Sequence, residues 1–211
     1  MLTLWSMPSS GNSYKVRLLL ALLGIPFRHK AAEYGSGVTE GAAFRALNPN
    51  GKVPLLQLED GRVLAESNAI LLYLARETRF LPDEAFAQAL AHQWMFFEQN
   101  FHESSVAVRA AILTYPQRAH LRTPERLAPL LESGHRALGV MEAQLEKTPW
   151  IAGDSYTVAD IALYGYTHSA GSKGRFDMQR FPAINVWLDR VASEPGHVPL
   201  EWLPQLPAHE A

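Results

Sequence analysis

The chain has 211 residues, 47% of them apolar and 19% charged, with a net charge of -2 and a pI near 6.4. That is an ordinary globular balance with room for a sizeable core, and it leaves no basic surplus for nucleic acid or an anionic membrane. There is no cysteine, which excludes disulfides, thiolate metal sites and a cysteine nucleophile, so any thiol chemistry must use a thiol brought by the substrate.

Leu2–Ser6 reads as a short strand and Met7–Asn12 as a turn-rich loop of Pro, Ser and Gly. Ser13–Leu23 is helical in pattern: Val16, Leu19, Leu20 and Leu23 recur at helical spacing, and Gly24 with Pro26 stops it. Phe27–Ala31 is a second strand, followed by a Gly/Ser-rich loop and a short helix near Ala42–Leu47. A strand opens at Val53-Pro54, turns at Asp60-Gly61 with the signature of a type I′ turn, and returns through Arg62–Ala65. Glu66–Glu77 is a helix carrying Ile70, Leu71, Tyr73 and Leu74 inside. The order is β-α-β-α-β-β-α.

Beyond the linker the pattern holds no convincing strand. Glu84–Tyr115, Pro124–Glu146, Val158–Ser169 and Ala183–Ser193 read as helices, with a kink or a later start expected at Pro129. From Pro195 the proline content predicts an extended tail packed on the body. The expected division is an α/β domain over residues 1–78, a linker over 79–83 and an all-helical domain over 84–211. No apolar run reaches the roughly 18 residues of a membrane span, and the N-terminus has no secretory pattern, so a cytoplasmic location is expected. The eight histidines are scattered without metal-ligand spacing, and no metal is expected.

Three motifs in this order resemble the cytosolic glutathione transferase family: Ser10-Gly-Asn-Ser-Tyr-Lys-Val-Arg17, then Lys52-Val-Pro54 with Glu66-Ser67, then Trp150 to Leu163 containing Thr157-Val-Ala-Asp160. The resemblance implies a thioredoxin-like N-terminal domain that binds glutathione and a helical C-terminal domain that shapes a hydrophobic second-substrate pocket. It points to the serine-using classes, theta, zeta or nu, rather than the cysteine-using ones.

The resemblance also implies the site. The Val53-Pro54 bond is expected to be cis, with Val53 offering an unpaired backbone edge to which a tripeptide adds like a strand. Ser67 and the helix start are expected to hold the γ-glutamyl carboxylate, with Glu66 facing the ligand ammonium. The competing reading of that pair is simple helix capping. Ser10 ranks first as thiolate stabiliser, Asn12 second and Ser9 third; all three also suit a turn. A free thiol titrates near 8.5, and lowering that by about two units takes roughly 2.7 kcal/mol. One charge-assisted hydrogen bond of about 1.5–3 kcal/mol supplies most of it. Gly11 departs from the zeta pattern. Tyr14 is the alternative hydroxyl but is expected to pack on the body. Lys52 either meets the glycyl carboxylate or lies on the surface.

Phe101, His102, Arg109 and Tyr166 are the candidates for the second-substrate pocket, against the plainer reading of helical core. Thr157 and Asp160 have the form of a capping box. The expected function is glutathione transfer to a hydrophobic electrophile, with glutathione as co-substrate and no tightly bound cofactor. A glutathione-dependent isomerase and a non-catalytic binding or interaction module are the alternatives. A homodimer is expected, with no nucleic-acid or membrane partner.

Overall fold

The computed structural model describes residues 1–205. The chain forms two compact units: one runs from Met1 to Arg76 and resumes at Glu194, and the other spans Glu77–Ser193. The sequence pattern places the helical domain over residues 84–211. The segment from Glu194 instead groups with the first unit, and the predicted domain beyond residue 205 lies outside the described residues.

The first unit has the predicted order: β1 (Leu2–Ser6), α1 (Gly11–Leu22), β2 (Phe27–Ala31), α2 (Ala42–Leu47), β3 (Leu55–Gln57), β4 (Val63–Ala65) and α3 (Ser67–Leu74). The strands form one four-stranded mixed sheet in the order β2-β1-β3-β4. β1 and β2 run parallel with Leu4 opposite His29, which requires the crossover that α1 provides. β3 is antiparallel to both β1 and β4. Leu4 and Leu56 from the sheet, Val16, Leu19 and Leu20 from α1, and Ile70 and Leu71 from α3 have no solvent exposure and make the core.

Two local details differ from the sequence reading. α1 starts at Gly11, not Ser13, because the Ser10 hydroxyl caps it by accepting the Ser13 N–H at 3.3 Å. The turn at Asp60-Gly61 is not type I′, which would need positive φ at both central residues. Only Gly61 is left-handed, at φ 87°. Gly61 N–H bonds to Leu58 O and Leu58 N–H to Arg62 O, a three-residue loop closed by the glycine.

The second unit contains α4 (Ala85–Phe97), α5 (Val108–Thr114), α6 (Pro124–Leu145), α7 (Val158–Thr167) and α8 (Pro182–Ala192). Between α4 and α5 the residues Glu98–Ala107 continue as π-helix, so the predicted long helix changes its winding midway. α6 begins at Pro124 with Thr123 as cap, so the later start weighed for Pro129 is not taken. Thr157 and Asp160 form the predicted capping box at α7, where Asp160 Oδ2 accepts the Thr157 N–H at 2.9 Å. Among the described residues no helix is long and apolar enough to cross a membrane.

Candidate functional site

The loop from Met7 to Ser10 leads from the end of β1 into α1. Ser10 is buried, its N–H donates to Met7 O at 3.1 Å, and its Oγ accepts from Ser13. Its own hydroxyl proton is committed to no protein acceptor among the described residues. Ser9 is half-buried in the preceding turn.

Asn12 joins this loop to α3. Its Oδ1 accepts from Lys15 Nζ at 2.7 Å and from Ser67 Oγ at 3.2 Å. Ser67 is the first residue of α3 and is buried, yet its hydroxyl serves Asn12 and not the helix end. Glu66 occupies the capping position with φ 68° and ψ 117° and no side-chain capping bond. A left-handed φ on a non-glycine residue costs of order 1–3 kcal/mol and concentrates at ligand sites. Glu66 is itself exposed.

The Val53-Pro54 bond is cis. Val53 lies before the first paired residue of β3, Leu55, so its backbone stands outside the ladder. Its side chain packs on the Trp5, Phe44 and Leu55 cluster, which holds this turn against the sheet. The Asn48 amide donates to Lys52 O at 2.8 Å and shapes the turn from the other side. The Lys52 side chain is exposed.

Behind the loop sits a residue that sequence reasoning missed. Arg17, fully buried, donates to Ser6 Oγ at 3.0 Å, Met7 O at 3.2 Å, Pro8 O at 2.8 Å and Leu200 O. Burial brings its guanidinium down to about 10. His29 Nε2 lies 2.8 Å from the same Ser6 hydroxyl, and burial, with the Arg17 charge adding to it, holds its imidazole below the usual range. Tyr14 is buried and donates to Val198 O at 2.7 Å, so it anchors the C-terminal segment. Nothing local in Lys-Val-Arg signals these roles.

The other four candidates lie in the helical unit. His102 has no exposure and its Nε2 is 3.0 Å from Thr167 Oγ1. Arg109 is buried and donates to Gly174 O at 2.8 Å and Leu127 O at 2.7 Å. Both therefore make internal bonds that suit helical core. Phe101 is half-buried and follows Phe97 edge-on at 5.7 Å, as Phe97 follows Trp94 at 5.2 Å. Tyr166 is half-buried on α7.

Family models match the chain twice: residues 9–77 as the N-terminal domain and 106–195 as the C-terminal domain of glutathione S-transferase. A solved glutathione S-transferase from Pseudomonas fluorescens is 46% identical with a TM-score of 0.91, over 94% of this chain and 98% of that one. The chain belongs to the glutathione S-transferase family.

Further relatives widen the chemistry found on this scaffold. The Escherichia coli disulfide-bond oxidoreductase YfcG is 29% identical over 88% of this chain and 87% of its own length. A Burkholderia graminis glutathione transferase is 28% identical with a TM-score of 0.80, over 92% of this chain and 85% of that one. It was crystallised with two glutathione molecules per subunit. The match beginning at residue 9 takes in Ser9, Ser10, Asn12, Val53, Pro54 and Ser67, so this transferase-family chain keeps the whole cluster inside its matched N-terminal domain.

Proposed function

We propose that this chain is a glutathione transferase whose glutathione lies along the Val53 edge, with its γ-glutamyl carboxylate at Ser67 and its sulfur at the start of α1. The observation that carries this reading is the Ser67–Asn12 bond, which brings the head of α3 to the Ser10 loop. Glu66 faces the ligand ammonium, and Lys52 is free to swing to the glycyl carboxylate. Ser10 has an uncommitted hydroxyl proton and donates it to the sulfur, with Asn12 as the second donor. Each favours the thiolate over the thiol by hydrogen bonding to the charged form. The thiol proton leaves to solvent. The thiolate then forms a C–S bond at an electrophilic carbon while the leaving group departs with its electron pair.

The test is ultraviolet titration of the thiolate band of bound glutathione in wild type, Ser10→Ala and Asn12→Ala. A depressed midpoint in wild type that climbs in Ser10→Ala supports Ser10 as the main donor. A climb only in Asn12→Ala moves the assignment to Asn12. Tight binding with no depression in wild type removes the transferase mechanism and favours a carrier.

A second reading is favoured by the oxidoreductase relative. The same thiolate can attack a small disulfide, giving a mixed disulfide and a released thiolate that takes up a proton. A second glutathione thiolate then attacks the glutathione sulfur of the mixed disulfide, breaking its S–S bond to give glutathione disulfide and a second released thiolate that takes up a proton, so two glutathiones supply the two electrons. Turnover of a dialkyl disulfide that exceeds turnover of every alkylating substrate tried would select this reading.

We further propose a homodimer pairing through α3 and α4. Tyr73, expected from the sequence on the inside of its helix, is instead 42% exposed, with Phe86 at 70% and Phe96 at 72%, apolar surface that a partner copy would cover. Light scattering should give twice the 23.5 kDa chain mass.

A further inference from the structure

Lys15 has no solvent exposure although it lies only one turn into α1. Burying an ammonium carries a desolvation penalty that an apolar residue of the same length avoids, so a buried lysine at a site asks for a role. Its Nζ lies 2.7 Å from Asn12 Oδ1. An ammonium has three donors and no acceptor. The Asn12 amide therefore cannot turn over, because a flip would set its NH2 group against the ammonium. With the oxygen held by Lys15, the Nδ2 donors take the other arm of the amide.

Ser67 also donates to this oxygen, at 3.2 Å, but a serine hydroxyl has one proton. When that proton turns to a carboxylate at the head of α3, Ser67 releases Asn12. Lys15 is then the remaining donor of this pair on the amide oxygen.

We propose that Lys15 is a positioning residue: it locks Asn12 so that Nδ2–H, not Oδ1, faces the glutathione sulfur while Ser67 serves the γ-glutamyl carboxylate. This rests on the glutathione reading of the site. The lysine charge also polarises the amide and strengthens its N–H as a donor to the thiolate. The other charged or titratable groups on neighbouring elements are Glu66 ahead of Ser67, Arg17 and His29 behind the Met7–Pro8 loop, and His197 beside Tyr14. Lys15 bonds directly to the Asn12 amide oxygen.

The test follows the thiolate band of bound glutathione against pH in wild type, K15M, K15Q, K15R and the N12A/K15M double variant. Glutathione affinity is measured separately by tryptophan fluorescence. In K15M the midpoint should rise by about one pH unit, tenfold less thiolate at a given pH below it. Its glutathione affinity should change much less, and K15R should hold the wild-type midpoint. The double variant should match N12A alone, because the lysine acts through Asn12. K15M with the wild-type midpoint, or a double variant whose rise is the sum of the two, overturns the proposal. If K15M does not fold, K15Q carries the comparison: it keeps a donor without the charge, and its midpoint should lie above wild type. A wild type with no depressed midpoint removes the glutathione reading itself. A depressed wild type with unmoved Lys15 variants removes only the lysine.

Discussion

The hydroxyl of Ser67 donates to Oδ1 of Asn12 over 3.2 Å, a bond between residues 55 positions apart. It ties the start of α3 to the start of α1 and leaves Ser67 one movement away from an incoming carboxylate. Ser67→Ala should weaken glutathione binding by about tenfold, near 1.4 kcal/mol, in line with one hydrogen bond to a charged group. Calorimetric titration measures this. An unchanged affinity would separate Ser67 from the carboxylate.

Arg17 supplies donors to three backbone carbonyls, those of Met7, Pro8 and Leu200. Arg17→Met leaves them without those donors, and each buried acceptor so stranded costs about 1–3 kcal/mol. We expect urea denaturation to show a loss of at least about 2 kcal/mol. Deleting the chain from Glu194 should lower stability in the same direction, because it removes the Val198 and Leu200 carbonyls that Tyr14 and Arg17 hold. A loss within about 0.5 kcal/mol in Arg17→Met, the range of an ordinary surface change, would show that water replaces the guanidinium.

Acid should weaken the fold through its histidines. Burial holds His29, His135 and His197 below the usual 6.5. The unfolded chain then binds more protons than the folded one as pH falls through about 6.5, so stability present above that value is lost below it. Thermal melts stepped down from pH 7.5 should fall through this window, and His29→Asn should flatten the fall. An equally steep fall in that variant would assign the effect elsewhere.

Asp160 works with the opposite sign. Its carboxylate accepts from Ile151 N–H at 2.8 Å, Thr157 N–H at 2.9 Å and Trp187 Nε1 at 2.9 Å, yet full burial pushes it from about 3.8 up to about 6. A raised carboxyl favours the folded state below about pH 4 and loses that contribution as pH rises through about 6. Asp160→Asn turns an acceptor-only group into one with NH2 donors facing N–H donors. It should cost more than Thr157→Ala, which removes one cap and costs about 1 kcal/mol. Chemical denaturation of both variants orders them. A smaller loss in Asp160→Asn would show that the amide finds new partners. Thr157→Ala should leave the thiolate titration of bound glutathione unmoved.

Periodicity and capping grammar made much of this protein legible in advance. Val16, Leu19 and Leu20 mark the buried face of α1, and Thr157 with Asp160 marks the start of α7, because both patterns act within one or two turns of chain. The motif around Val53, Pro54 and Ser67 was legible as a family resemblance. The turn at Gly61 differs from the type I′ turn that Asp-Gly suggests, because a dipeptide names a glycine's freedom but not how many residues the loop spends before using it. His102 and Arg109 were legible as polar groups on a helix, but the Thr167, Gly174 and Leu127 partners that occupy them were not.

By itself, then, the sequence determined the order of strands and helices, the cap that begins α7, and the absence of any protein thiol. Tertiary structure alone decided that Arg17 would reach Leu200, that Asn12 would meet Ser67 and that Lys15 would be buried beside them. The reason is range. Helix, strand and cap are chosen by neighbours along the chain, whereas a buried polar group takes its partner from whatever the fold sets within hydrogen-bond distance.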